Sequence, residues 1–495
     1  MTWAFSRKLL DMQLKAPKRV TTAVLSATLL GLNACTASSG AAAPSAAPGD
    51  GNAQSAEAKS GTPGAAGIGD PDFPTDGNGG YDVGHYALKL AYDPPTKTLS
   101  GTATVTAQAV QNLSRFNLDL HGFTVRRVSV DGKAAKFTRE GDELTVNPPA
   151  VIRRSSGFKV TVDYAGKPDP VRNSSNLGTY GFIPTKDGAF VTSEPNGAKT
   201  WFPGNDHPAD KATFDFDVTV PAGTTVIANG ELRGAPVTSG GRSTFAWRET
   251  HPMATYLATI TLGKFDVRTG RTPGGIPMYA ATDPAFRHNL DFLYTTSAKV
   301  TDYWSTVFGP YPFSSTGGVI DDFSAGYALE NQTKPMYGGF EPDTGIIAHE
   351  LAHQWFGDSL SVTRWKDLWL NEGFATYAEW LWAEHNGGLT AEKTFQDYYS
   401  AKHAPIWRYP PGVAQRQDLF NTSVYLRGGM TLHVLRKRIG DETFFKLLRT
   451  WTDQHKYGNV TTDDFIKLSE KLSGRPLGDL FDAWLYQPQR PEISS

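Results

Sequence analysis

Two histidines four positions apart, His349 and His353, enclose Glu350, and Glu372 follows with eighteen residues between it and the second histidine. No other feature limits the chain so strongly. On a helix, residues four apart lie about 40° apart around the axis, so both imidazoles leave from one face and can share one ion. Glu350 is turned about 100° from His349, out of that coordination sphere but within reach of a water held there. The pattern predicts that His349, His353 and Glu372 bind one Zn2+ per chain, with Glu350 as base.

The flanking residues supply the helices this requires. Ile347, Leu351 and Trp355 recur at helical spacing, Asp343 or Thr344 can cap the start, and Gly357 can end it. Glu372 falls on a second helix whose apolar stripe is Leu370, Phe374, Tyr377 and Leu381, stopped by Gly387-Gly388. Glu379, seven residues on, returns to nearly the same face and is a candidate partner for a ligand histidine, as is Asp358. Closed structural zinc sites take four ligands, commonly cysteine, whereas three ligands without cysteine leave a position for water or substrate. The longer HExxHxxGxxH pattern is excluded by Phe356 and Ser359. The plainer alternative, two histidines packed on a core helix beside a surface glutamate, does not account for the downstream glutamate in its helical frame.

Residues 1–35 resemble an export signal. Lys15, Lys18 and Arg19 precede an apolar run over residues 20–32 that is short for a transmembrane helix. The run ends in Leu32-Asn33-Ala34-Cys35, similar to a bacterial lipobox. Cys35 is the sole cysteine of the chain and so has no disulfide partner. The expectation is an exported protein, lipid-anchored through Cys35 at the outer face of the bacterial membrane; the alternative is an ordinary signal peptide cut near Ala34. Residues 36–80 are rich in Ala, Gly, Pro and Ser and read as a flexible tether.

Two folded regions follow. Over 81–267 the period is two: Tyr86-Leu88-Leu90, Thr102-Thr104-Thr106, Phe116-Leu118-Leu120, Phe214-Phe216-Val218-Val220 and Tyr256-Ala258-Ile260-Leu262 alternate, and Asp131-Gly132 marks a turn. A β-sandwich or saddle-like sheet domain is predicted. Over 268–495 helices appear among strands, at 289–305, 348–356, 371–385 and 429–438, giving an α+β domain around the metal site. A formal net charge of −2 leaves no electrostatic footprint for nucleic acid.

Taken together, His349-Glu350-xx-His353, Asn371-Glu372-Gly373-Phe374-Ala375 and Tyr327-Ala328-Leu329-Glu330-Asn331 resemble the M1 family of zinc aminopeptidases, the gluzincins related to aminopeptidase N. The third segment is similar to that family's GAMEN motif, with Tyr327 for the first glycine and Leu329 for methionine. Trp201-Phe202-Pro203-Gly204-Asn205-Asp206-His207-Pro208 and Lys211-Ala212-Thr213-Phe214 resemble its FPCFDEP-x-x-KATF signature, with glycine for cysteine and His207 for glutamate.

The resemblance implies a multidomain α+β fold, an N-terminal saddle-like β domain followed by a thermolysin-like catalytic domain. It implies that Tyr425, in Val424-Tyr425-Leu426-Arg427-Gly428, stabilises the oxyanion. By the same resemblance Glu194 and Glu330 hold the substrate amine, and Ala328 and Asn331 contact the peptide. Larger members continue into a C-terminal helical domain, while this sequence stops soon after Trp484-Leu485-Tyr486, so a more open cavity is expected. The implied partners are peptides with a free N-terminus. Other substrates of an M1-type hydrolase (an endopeptidase's or an epoxide) and a non-catalytic peptide-binding lipoprotein are the alternatives. Glu194 argues against an epoxide, and Glu350 with Tyr425 against loss of turnover.

Overall fold

The computed structural model describes residues 61–173 and 177–493. The export signal, Cys35 and most of the expected tether lie outside the described residues.

Alternation along the β region builds a nine-stranded sheet. Its order is Glu231–Leu232, Arg242–Ala254, Lys211–Pro221, Tyr81–Asp93, Thr98–Ala109, Gly157–Gly166, Thr124–Val130 and Lys133–Ala134, with Val237–Ser239 also on Arg242–Ala254. All pairs are antiparallel except Lys211–Pro221 with Tyr81–Asp93. Along Tyr81–Asp93 a bulge after Val83 resets the register, and Tyr86, Leu88, Leu90 and Tyr92 then point inward together. A four-stranded sheet and a five-stranded sheet pack with it over one continuous apolar core.

The expected tether ends well before residue 80. Thr62–Pro63 forms a strand parallel to Leu113–Asp119, and Phe73 is only 1% exposed. Asp70 accepts from the Trp365 backbone N–H at 3.0 Å and pairs with His207 Nε2 at 3.2 Å. Asp76 accepts from Lys199 Nζ at 3.0 Å and Asn196 Nδ2 at 2.6 Å. One aromatic ring and a set of buried polar contacts hold this strap, where composition alone suggests nothing to bury.

The α+β region begins slightly earlier than residue 268. Asp266–Arg271 is the outer strand of a second five-stranded sheet, followed by Pro277–Thr282, Thr316–Asp321, Met336–Gly338 and the edge strand Ala328–Leu329. Helix Leu290–Val307 packs on this sheet and Thr344–Ala352 reaches its edge strand, while Trp369–His385, Thr422–Ile439, Asp441–Gln454 and Thr462–Ser473 pack in succession beyond them. Among the described residues no helix is long and apolar enough to cross a membrane. The strand expected from Tyr256 is shorter: Thr255–Leu257 is a 3-10 turn, and the strand starts only at Ile260–Gly263.

Candidate active site

The helix Thr344–Ala352 starts where Asp343 accepts from the backbone N–H groups of Gly345 and Ile346, both at 2.9 Å. It ends four residues short of the expected 356, with His353 as its C-cap. Gly357 then takes φ 137°, and a Cβ there would stand 3.3 Å from His353 Nδ1. His353 Nδ1 lies 3.0 Å from Phe356 O, and His349 Nδ1 lies 2.6 Å from Glu379 Oε1. Each Nδ1 is thereby fixed as the donor, which leaves both Nε2 atoms free to ligate. Asp358, the other candidate partner, does not reach either ring; Lys211 Nζ holds its backbone oxygen at 2.7 Å.

Both Nε2 atoms face Glu372 Oε2, at 3.2 Å from His349 and 3.4 Å from His353. The three donor atoms lie within 4.8 Å of one another, all buried. Two imidazoles and one carboxylate, oriented from behind, fit zinc with a position left open. Burial opposes charge on His349 and on Glu372. Even so, Glu372 and Glu379 hold His349 well above the usual histidine range, while His353 and His349 hold Glu372 down at about 2.

Glu350, on the same helix, is buried and pushed up to about 8, chiefly by burial, against the pull of His349 and His353. Tyr425 arrives on Thr422–Ile439, which begins at the Asn421 cap, earlier than the expected 429. Its ring lies nearly parallel to that of His349, with centroids 6.3 Å apart. A close helix crossing puts it there. A Cβ on Gly373 would stand 2.9 Å from Gly428 Cα, so only glycine lets Trp369–His385 and Thr422–Ile439 approach this far. Burial, with Glu372 and Glu194 nearby, raises the Tyr425 phenol well above its ordinary value and keeps it a proton donor.

Glu194 follows the strand Ala189–Thr192, and Glu330 follows the edge strand Ala328–Leu329. Both are buried, and among the described residues neither pairs with a lysine or arginine. Burial raises each carboxyl; Glu330 pushes Glu194 up further, while His353 pulls Glu330 back. Ala328 is half-buried and pairs with Tyr337 at the sheet edge. Asn331 donates Nδ2 to Leu257 O at 2.9 Å, which ties its loop to the β domain, while its buried Oδ1 has no hydrogen-bond partner among the described residues.

Gln354 and Tyr256, to which the sequence assigns no role in the site, complete the surroundings together with Tyr327. Gln354 donates to Glu330 O at 3.0 Å and accepts from the Thr333 N–H at 2.7 Å, joining the two motifs; its position beside His353 was the available signal. Tyr327 donates to Thr179 O and pairs with Thr192 Oγ1, each at 2.8 Å. Tyr256 donates to Glu330 Oε1 at 3.3 Å.

Residues 83–257 match the Peptidase M1 N-terminal domain and residues 341–484 the Peptidase family M1 domain. Aminopeptidase M1 of Arabidopsis thaliana is 30% identical over 448 residues, 83% of this chain and 50% of that protein. Probable aminopeptidase 2 of Sulfurisphaera tokodaii is 28% identical over 76% of this chain and 50% of its own length. The chain thus spans about half the length of the curated relatives it matches. An M1 zinc metallopeptidase from Deinococcus radiodurans superposes with a TM-score of 0.81 at 29% identity, covering 87% of this chain and 99% of that one. A mutant of that enzyme bound to a Tyr-Ser-Ala substrate superposes with the same score and identity.

Proposed function

The chain belongs to peptidase family M1, and on that footing we propose that it is a zinc-dependent aminopeptidase releasing N-terminal residues from peptides. The observation that carries this reading is the pair of buried carboxylates beside the metal triad, Glu194 and Glu330, which among the described residues pair with no lysine or arginine. A buried acid without a counter-charge is costly, and a substrate ammonium supplies that charge with three donors.

His349, His353 and Glu372 hold the zinc, one ion per chain, which when bound supplies Lewis acidity to the scissile carbonyl and acidifies the attacking water. Glu350 takes the proton from that water and delivers it to the leaving amine, acting as base and then as acid. Tyr425 donates to the oxygen of the substrate carbonyl as charge develops on it. Glu194 and Glu330 clamp the ammonium, and the edge strand at Ala328 offers backbone groups to an extended peptide. Glu379 keeps the proton on His349 Nδ1, and Phe356 O does so for His353.

For location the proposal is export and attachment to a membrane through a lipidated Cys35, supported by the basic, apolar and Leu32-Asn33-Ala34-Cys35 segments. Activity is tested with aminoacyl anilides, with and without a chelator, against their N-acetylated counterparts. Metal-dependent release from the free amine alone is expected. Equal cleavage of the acetylated forms would replace this reading with an endopeptidase.

A further inference from the structure

The loop 330–334 carries one of the two amine-binding carboxylates, yet most of what holds it comes from the other domain. Asn331 Nδ2 donates to Leu257 O at 2.9 Å, and Asn229 Nδ2 donates to both Leu257 O at 2.9 Å and Gln332 O at 2.8 Å. Thr333 Oγ1 accepts from the Gly230 N–H at 2.7 Å, and Lys334 Nζ donates to Gly230 O at 3.0 Å. These contacts fix the backbone of the loop. The Glu330 carboxylate itself receives the phenol of Tyr256.

Tyr256 is built to hold still. It lies in the 3-10 turn Thr255–Leu257, whose first residue donates Oγ1 to Asp206 Oδ1 at 2.8 Å, and it is 1% exposed. Its ring meets Trp365 edge-on, with centroids 5.3 Å apart. Trp365 in turn is gripped by the strap: its backbone N–H goes to Asp70 and its ring packs against Phe73 at 5.9 Å, with His207 of the β domain at 6.5 Å. Arg416 lies over the outer side of Phe73, 4.9 Å from the ring centroid. A packed path therefore runs from Phe73 through Trp365 and Tyr256 to Glu330.

We propose that Tyr256 is a positioning residue for the substrate amine: it orients the Glu330 carboxylate, and the strap 70–76 sets Tyr256 through Trp365. The inference rests on the aminopeptidase reading and deepens it. An ionised carboxylate has about four acceptor positions, so one phenol donor fixes its rotation while leaving the others for an ammonium. Without that donor the carboxylate can turn within its pocket, and the cost falls on ground-state binding before bond cleavage. The Tyr256 phenol is committed to Glu330 and makes no hydrogen bond to His349, His353 or Glu372, so the chemical step should be spared.

Tyr256→Phe keeps the ring and its packing. For the zinc-loaded enzyme acting on leucine anilide, KM should rise about 5- to 20-fold with kcat changed less than about threefold. Phe73→Ala should raise KM in the same direction by about two- to fivefold, and should add less than about twofold in the Tyr256→Phe background, since both act through one carboxylate. Phe158→Leu, in the core beside Tyr81 and Phe116, controls for general destabilisation and should leave KM unchanged.

An unchanged KM in Tyr256→Phe, or a fall in kcat at constant KM, overturns the positioning role; full additivity of Phe73→Ala overturns the part assigned to the strap. If the unaltered enzyme does not cleave free-amine anilides, the activity reading fails separately. Calorimetric affinity for leucine amide then decides the contact: weaker binding in Tyr256→Phe supports it, and equal binding removes it.

Discussion

His349 Nδ1 and Glu379 Oε1 are 2.6 Å apart, so the helix that supplies the ligand Glu372 also supplies, two turns later, the carboxylate that orients another ligand. One rigid segment therefore sets both a ligand and a ligand's tautomer.

Glu379→Gln should weaken zinc binding by about 10- to 100-fold, because an amide can accept the Nδ1 proton but no longer supplies charge behind the ring. Competition with a chelator measures this. Unchanged affinity would reduce Glu379 to a packing residue. The His349→Ala, His353→Ala double variant should lose zinc altogether, and metal analysis showing one ion still bound would place the site elsewhere.

Three pocket residues should separate kinetically. Glu350→Gln should retain zinc while kcat falls by about 10²–10⁴-fold, since shape is kept and the base is lost. Tyr425→Phe should lower kcat by about 10²–10³-fold with little change in KM, because its hydroxyl acts on charge that develops only during reaction. Glu330→Gln should raise KM for free-amine substrates. A Tyr425→Phe variant with raised KM and normal kcat would move that residue from the reacting carbonyl to substrate binding.

Gly373→Ala should cost roughly 1–3 kcal/mol of stability, because its Cβ would meet Gly428 backbone and the two helices must part. The same parting shifts Tyr425, so kcat should fall as well. Alanine ordinarily favours a helix over glycine by about 1 kcal/mol. An increase in Tm would therefore show that the crossing relaxes without strain.

Cys35→Ser should move the protein from the membrane fraction to the soluble fraction with activity on small substrates unchanged. A variant that stays with the membrane after a high-salt wash would rule out the lipid anchor.

The metal site was legible because helical spacing alone brings His349 and His353 to one face; of the two candidate caps, Asp343 and Thr344, the structure uses Asp343, whose carboxylate accepts from the first free N–H groups. What lies behind it was less so. The strap escaped because Asp70 and Asp76 are held by partners more than a hundred residues away, and composition does not register such pairings. Alternation through Tyr256 and Ala258 suggested a strand, but the carbonyl of Leu257 bonds to Asn331 and Asn229 rather than to a neighbouring strand.

Glu194 stands on the β domain and the metal triad on helices of the other, with residues 330–334 fastened to both. Under the proposed aminopeptidase function, the number of residues removed in one cut would be a length measured between two bodies, much as a caliper reads the gap between its jaws. A substitution that lets the bodies slip should blur which bond is cut, at position one or position two, before it slows the cutting.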